Sequence, residues 1–300
     1  MDLSADSLRT FITLATCKSF SIASGKLHKS QSATSTQIAK LEEQAGIKLI
    51  DRSQRPLKLT EAGEIFFGYA KEIIVRVDEL SQSLRSLSTG SLGEVKIGAT
   101  RAVGTFLLPK IVQGILKDFS KLKILLITQP RELTYQLLQQ GALDFAVVLS
   151  DLQPKGFKVT PLRPEPLCMV ASPRHPLAKQ KRLSAQQLEE SRFIVGIRSD
   201  GSSEMLDQLS GQSGLPEPSA TLQISTLQGR TEAAKAGLGV AVLPQFVVQS
   251  EIRNGALRKL TAKHIQLSTA HIMLVQRRRT TPRANVELVK KLIVAKLQKG

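Results

Sequence analysis

From Thr60 to Leu87 the chain contains no proline, and the apolar residues Phe66, Ala70, Ile73, Val77, Leu80, Leu84 and Leu87 recur at alternating steps of four and three. That spacing predicts one long helix over 61–88 with an a/d seam sustained through about three heptads. At 1.5 Å per residue such a helix spans roughly 40 Å. Its flanks carry Glu61, Glu64, Lys71, Glu72, Arg76, Asp78, Glu79 and Arg85, so one stripe is apolar and the rest faces water. A helix packed on its own domain would show a similar stripe. The strict 3.5-residue spacing favours a partner helix, and we expect these seven residues to form a homodimer seam. The helix also divides the chain. Residues 1–60 precede it, and a small-residue break at Ser88-Thr89-Gly90-Ser91-Leu92-Gly93, read as a hinge over 89–93, follows it.

The segment before the helix reads as two short helices around a polar turn. Ser21 is the expected N-cap of the first, whose Ile22, Ala23 and Leu27 recur at helical spacing. Ser30 is the expected N-cap of the second, which starts at Gln31 and buries Ala33, Ile38 and Leu41. This leaves Gln31, Ser32, Ser35 and Thr36 on an exposed N-terminal half, with Ser30 and Gln37 in the same polar set. In a helix-turn-helix that half meets base edges in the major groove. Gln pairs bidentately with adenine, and Ser or Thr contacts several bases. Two alternating runs around Ser53-Gln54-Arg55-Pro56 then form a small hairpin, a wing with Arg55 at its tip and Arg52 nearby. Arginines at a wing can reach phosphates or a narrow minor groove.

Residues 8–64 resemble the N-terminal domain of the LysR-type transcriptional regulators. The resemblance rests on Leu8, Phe11, Ser19-Phe20, Ala23, Leu27, Ser30-Gln31-Ser32-Ala33, Ser35, Gln37-Ile38, Leu41-Glu42, Gly46, Leu49, Arg52, Arg55 and Leu59-Thr60-Glu61-Ala62-Gly63. The chain departs from the family pattern at Ser24, where a second Ala is usual, at Thr36, where Arg or His is common, and at Ile50, where Phe is usual. Thr36 takes a long basic side chain off the DNA face. The resemblance implies a winged helix-turn-helix that binds double-stranded DNA, dimerises through the linker helix and pairs further to a tetramer.

Beyond the hinge, strands such as Val95–Gly98, Ile124–Ile127, Phe145–Leu149, Leu167–Ala171, Phe193–Gly196, Leu222–Ile224, Val240–Leu243 and His271–Val275 alternate with helices. The helices are expected at Phe106–Phe119, Glu132–Gln140, Ser184–Glu190, Ser203–Leu209, Leu227–Ala236 and Asn285–Leu297. This alternation predicts an α/β architecture with largely parallel sheets. Ile97-Gly98-Ala99-Thr100, Gly141-Ala142-Leu143-Asp144, His175-Pro176-Leu177-Ala178 and Ala236-Gly237-Leu238-Gly239 through Pro244 are similar in order and spacing to LysR effector domains. The resemblance implies a periplasmic-binding-protein-like effector domain over 94–300. Lobe I would be 94–162 with 267–300 and lobe II 163–266, with crossovers near Leu162 and Leu267 and a small effector between the lobes. The loops that line such a cleft map onto Thr100-Arg101, Gln129-Pro130-Arg131, Arg198-Ser199-Asp200-Gly201 and Ser225-Thr226. Thr100 and Thr226 match hydroxyl positions of the family. Helix N-termini with Arg101, Arg131 and Arg198 suit a small anion, most simply a carboxylate.

The net charge of +17 points to an anionic partner. Residues 1–60 carry about +4, 61–88 about −2 and the remainder about +15, so the charge does not follow the DNA-binding motif. The basic segment around Arg277-Arg278-Arg279, Arg283, Lys290-Lys291, Lys296 and Lys299 reads as a solvated face. The sharper alternative is a surface for bent DNA or for an acidic patch of RNA polymerase. Cys17 and Cys168 give no disulfide framework, and the four histidines lack metal spacing, so we expect no cofactor, no metal and a cytoplasmic protein. We expect no signal peptide and no membrane role, since Met1-Asp2-Leu3-Ser4 carries no basic n-region and no apolar run reaches membrane length. Gly237-Leu238-Gly239 follows a helix and precedes a strand, the reverse of a dinucleotide loop, and no catalytic triad or nucleophile elbow is present. The expected function is therefore effector-controlled transcription regulation rather than catalysis. The alternatives are an effector-independent DNA-binding protein and a small-molecule binder with a vestigial headpiece.

Overall fold

Three serines begin the first three helices, because each side-chain oxygen takes a backbone N–H that the helix leaves unpaired. The computed structural model describes residues 3–89, 93–150, 154–197, 214–218, 220–263, 265, 267, 269–278 and 283–298, except the side chains at 79, 82–83 and 85–89. By contacts the chain forms two units, Met1–Ser91 and Leu92–Gly300.

In the first unit Ser4 caps α1 (Ala5–Cys17), Ser19 caps α2 (Phe20–Leu27) and Ser30 caps α3 (Gln31–Ala45). The cap of α2 corrects the sequence expectation of Ser21, since the helix starts earlier and the Ser21 carbonyl accepts from Ser24 Oγ. Along α3, Ile38 and Leu41 are buried as expected, but Ala33 is exposed and Thr34 is buried instead. Thr34 can be buried because its hydroxyl donates to the Ser30 carbonyl at 3.1 Å. Two short antiparallel strands, β1 (Ile50–Asp51) and β2 (Lys58–Leu59), form the wing, and α4 (Glu61–Thr89) follows. Thr60 Oγ1 accepts from Gly63 N–H at 3.0 Å and donates to the Lys48 carbonyl at 2.7 Å, so the same residue starts α4 and fastens it to the wing. A Cβ on Gly63 would lie 2.1 Å from the Leu49 carbonyl oxygen, so only glycine lets helix and wing approach this closely. The unit's core gathers Leu8, Phe11, Leu14, Ile38 and Leu41 with Leu49, Leu57, Ala70 and Ile74.

In the second unit the order is β3 (Glu94–Thr100), a π-helical turn Val103–Leu107, α5 (Leu108–Asp118), β4 (Lys123–Gln129), α6 (Arg131–Gln139), β5 (Phe145–Ser150) and β6 (Phe157–Ala171). A 3-10 turn Pro176–Lys179, α7 (Ala185–Glu189), β7 (Arg192–Val195), β8 (Ala220–Gln223), α8 (Leu227–Lys235), β9 (Val240–Pro244), α9 (Gln245–Arg253), β10 (Arg258–Leu260), β11 (Thr269–Arg277) and α10 (Ala284–Gln298) complete it. The strands form one mixed sheet in the order β4-β3-β5-β11-β6-β9-β7-β8, with β10 also paired to β6. Strands β4, β3 and β5 are parallel, as are β9, β7 and β8; β11 and β6 join the two parallel blocks through antiparallel pairing. The sheet is thus mixed where the sequence suggested largely parallel. Val289, Ile293 and Leu297 of α10 join the core of α5, β3 and β6.

Two expectations are corrected here. The helix expected from Phe106 starts as the π-helical turn and becomes α-helical at Leu108. The strand read over Leu167–Ala171 is the end of the 15-residue β6. That strand keeps β11 as its partner as far as Pro166 and takes β9 from Leu167. Helix α9 and strand β10 were not anticipated. The helix expected at Ser203–Leu209 lies outside the described residues.

Candidate DNA-binding face and effector region

The N-terminal half of α3 carries its polar side chains outward. Ser30, Gln31, Ser32 and Thr36 are exposed and Ser35 is half-buried. Below them, a polar network anchors the helix. Gln37 Nε2 donates to Asp6 Oδ2 at 2.7 Å, while Gln37 Oε1 accepts from Thr10 Oγ1 and from Lys29 Nζ, each at 3.0 Å. Lys29 also pairs with Asp6 at 2.7 Å. The hydrogen bonds from Lys29 and Gln37 hold the Asp6 carboxyl below its ordinary range. Of the polar set expected to face DNA, Gln37 is therefore the one whose amide is tied to α1.

The wing is held by Glu42, a nearly fully buried carboxylate in the C-terminal half of α3. Its Oε1 accepts the N–H groups of Leu49 and Ile50 at 3.0 and 3.1 Å, and its Oε2 accepts from Lys48 and Arg52, each at 3.2 Å. Burial pushes this carboxyl up, but the Ile50 and Leu49 N–H groups and the Lys48 ammonium outweigh burial and leave it below the usual range. The Arg52 guanidinium also lies 5.5 Å from the centre of the Phe20 ring. Arg52 and Arg55 are both exposed, but Arg52 is anchored to Phe20 of α2 and Glu42 of α3, whereas Arg55 stands at the wing tip. Sequence reading placed Glu42 only as a position of resemblance. The alternation of a carboxylate in α3 with cations in the wing was the signal for its role.

Helix α4 divides its apolar seam. Phe66 packs edge-on against Phe11 with ring centres 5.0 Å apart, and Ala70 is buried in the same core. Ile73, Leu80 and Leu84 are 41, 60 and 57 % exposed, and Val77 is half-buried. Leu87 lies among the side chains outside the description. Ile65 and Tyr69, which the heptad reading passed over, are 60 and 66 % exposed and line an open apolar groove of about 380 Å³ with Ile47 and Ile73.

In the second unit Thr100 ends β3, buried, and its Oγ1 accepts from Leu149 N–H at 3.1 Å, so the hydroxyl ties β3 to β5. Arg101 follows it, exposed. Gln129 ends β4 and is half-buried, and Arg131, paired with Glu132 at 3.1 Å, opens α6. Thr226 follows β8 and caps α8, accepting from Gly229 N–H at 3.1 Å. Arg198 and Ser199 lie outside the described residues. One turn into α8, Arg230 is 1 % exposed, a buried cation that sequence reading missed because the residues around it carry no helical stripe. Among the described residues, no group of three or more His, Cys, Asp and Glu side chains could hold a metal, and no helix is long and apolar enough to cross a membrane.

The chain matches two family models, bacterial regulatory helix-turn-helix protein, lysR family, over residues 5–64, and LysR substrate binding domain over residues 88–298. The chain belongs to the LysR family. Its regulatory relatives include the HTH-type transcriptional regulator CysL of Bacillus subtilis, 26 % identical over 260 residues with 87 % of this chain and 86 % of CysL covered. A probable RuBisCO transcriptional regulator of Cyanidioschyzon merolae is 27 % identical, covering 87 and 88 %. Among solved structures, ArgP of Mycobacterium tuberculosis shares the fold at a TM-score of 0.70, 20 % identity and 99 and 98 % coverage. Full-length LysG of Corynebacterium glutamicum with bound effector Arg does so at 0.67 and 20 %, covering 99 % of each chain. This LysR-family protein is a DNA-binding transcriptional regulator with an effector-binding domain, not an enzyme.

Proposed function

We propose that this regulator binds DNA as a dimer joined through α4, reads its site with Gln31, Ser32, Ser35 and Thr36, contacts phosphate or minor groove with Arg55, and responds to a small anionic effector. On this reading residues 1–60 are the headpiece, 61–88 the linker helix, 89–93 the hinge and 94–300 the effector domain. The change of partner along β6 supports two lobes within the last. The exposed Ile73, Leu80 and Leu84 support pairing through α4, with a tetramer as the further step the family resemblance implies and the cytoplasm as the place of action.

The observation that carries the effector reading is positional. Thr100, Gln129 with Arg131, and Thr226 all stand at the carboxyl ends of parallel strands, β3, β4 and β8, where α/β sheets bind ligands. Arg101 and Arg131 supply positive charge there, and the starts of α6 and α8 supply N–H groups. An effector shifts the regulator only by its differential affinity for two arrangements of the lobes. A thermal-shift screen of carboxylates, phosphates, amines and neutral metabolites tests this reading, repeated on Arg101→Ala and Arg131→Ala. Stabilisation by anions that weakens in these variants is expected. Stabilisation confined to neutral or cationic compounds, or unchanged in both variants, would remove the anionic-effector reading.

A further inference from the structure

Within the basic tail of the sequence two cations are tied inward, while Arg278, Lys291 and Lys296 are exposed. Arg283 pairs with Asp144, and Lys290 Nζ bonds both Glu287 at 2.6 Å and Gln276 at 2.7 Å. The fold assembles a further basic face from two segments that are distant in sequence. Strand β10 pairs with the end of β6, placing Arg258 opposite Ala171. Beyond it, Leu183 bridges Ala262, with Leu183 N–H donating to the Thr261 carbonyl and Lys263 N–H to the Leu183 carbonyl, each at 2.9 Å. The stretch 174–182 is thereby laid beside 258–263. Arg174, Lys179, Lys181, Arg182, Arg258 and Lys263 are all exposed, and none of the six pairs with a described carboxylate. No Asp or Glu occurs at 171–188 or 252–263. The large hydrophobic side chains exposed elsewhere on the described surface do not occur in either segment.

We propose that this face is a second contact surface for duplex DNA, outside the headpiece. Two features select DNA over an acidic protein. Protein interfaces centre on desolvated aromatic or aliphatic anchors, which this face lacks, whereas DNA contacts are polar and strongly positive. The inference rests on the headpiece reading, under which the same chain holds a dense polyanion and weak phosphate contacts elsewhere on it gain from a raised effective concentration. Such contacts add affinity without sequence information and extend the occupied length of DNA.

The test uses the full chain with Ser35→Glu, which places a carboxylate on the recognition face, and a random-sequence duplex of about 40 base pairs, followed by fluorescence anisotropy between about 50 and 200 mM salt. The Ser35→Glu chain is expected to keep salt-dependent binding. Adding Lys181→Gln, Arg182→Gln, Arg258→Gln and Lys263→Gln should weaken that binding at least about tenfold at low salt and lower the slope of log K against log salt by about 3. A matched control neutralises Lys110, Lys117, Lys121 and Lys123, exposed on another part of the unit. An equal loss in the control would overturn the proposal, because net charge alone would explain it. So would an unchanged slope in the first variant, an absence of any binding by Ser35→Glu alone, or tighter binding to poly-glutamate than to the duplex. The headpiece reading is tested separately by site preference and survives each of these failures.

Discussion

Glu42 Oε2 lies 3.2 Å from Arg52 Nη2, an ion pair that ties the recognition helix to the residue following the first wing strand. Glu42 also accepts the N–H groups of Leu49 and Ile50, so the start of the wing is fastened to α3. Glu42→Ala leaves those donors and the cations of Lys48 and Arg52 without this acceptor, at a cost on the order of 1–3 kcal/mol. Denaturant unfolding of the variant should show that loss. The native carboxyl is held below the usual range, so its contribution is complete above the unfolded value of about 4.3 and is lost as pH falls through the lower folded value. The wild-type acid-unfolding limb should therefore be steeper than that of Glu42→Gln in this window; identical limbs would remove Glu42 from the account.

The two halves of the α4 seam should separate by phenotype. Leu80→Asp and Leu84→Asp change residues that are exposed in one chain, so headpiece stability should stay near wild type while a dimer dissociates by light scattering. Phe66→Ala should instead lower the headpiece melting temperature, at up to about 3 kcal/mol, because Phe66 packs on Phe11. A dimer that persists in Leu80→Asp, Leu84→Asp and the double variant would show that α4 is not the pairing element.

Gly63→Ala should be poorly tolerated although it sits in a helix, where alanine is normally favoured. The added carbon meets the Leu49 carbonyl, and the wing must shift to admit it. We expect a loss of about 1–3 kcal/mol by thermal unfolding. By contrast Gly68→Ala, with nothing near the added carbon, should be neutral or stabilising. Equal effects at the two positions would contradict the close wing–helix approach.

Local signals made much of this molecule legible. Ser30 announced α3, and the absence of proline with a heptad rhythm announced α4. Long-range placement was not legible. A 3.5-residue period says that a stripe is apolar, but not that Phe66 and Ala70 face the chain's own core while Leu80 and Leu84 face outward. The hydrogen bonds of Gln37 were not legible either, because its partners Asp6, Thr10 and Lys29 come from other segments. Strand β6 was hidden by Pro161, Pro164 and Pro166, which normally argue against a strand. Among the described residues, 157–166 pairs only with β11, and on an unpaired side a missing N–H costs no ladder bond. The basic face beside β10 needed pairing between segments far apart in the chain.

The central claim is that the exposed half of α3 reads sequence while Arg55 supplies largely non-specific attraction. Selection of bound sites from a randomised duplex pool tests it most directly, performed on wild type, Gln31→Ala, Ser35→Ala and Arg55→Ala with the salt dependence of each. Gln31→Ala and Ser35→Ala should alter the selected motif, each lost base contact being worth about 1–3 kcal/mol of discrimination. Arg55→Ala should keep the motif, bind more weakly throughout and lower the salt slope by about 0.9. An unchanged motif in both helix variants, or a motif altered only by Arg55→Ala, would contradict the account.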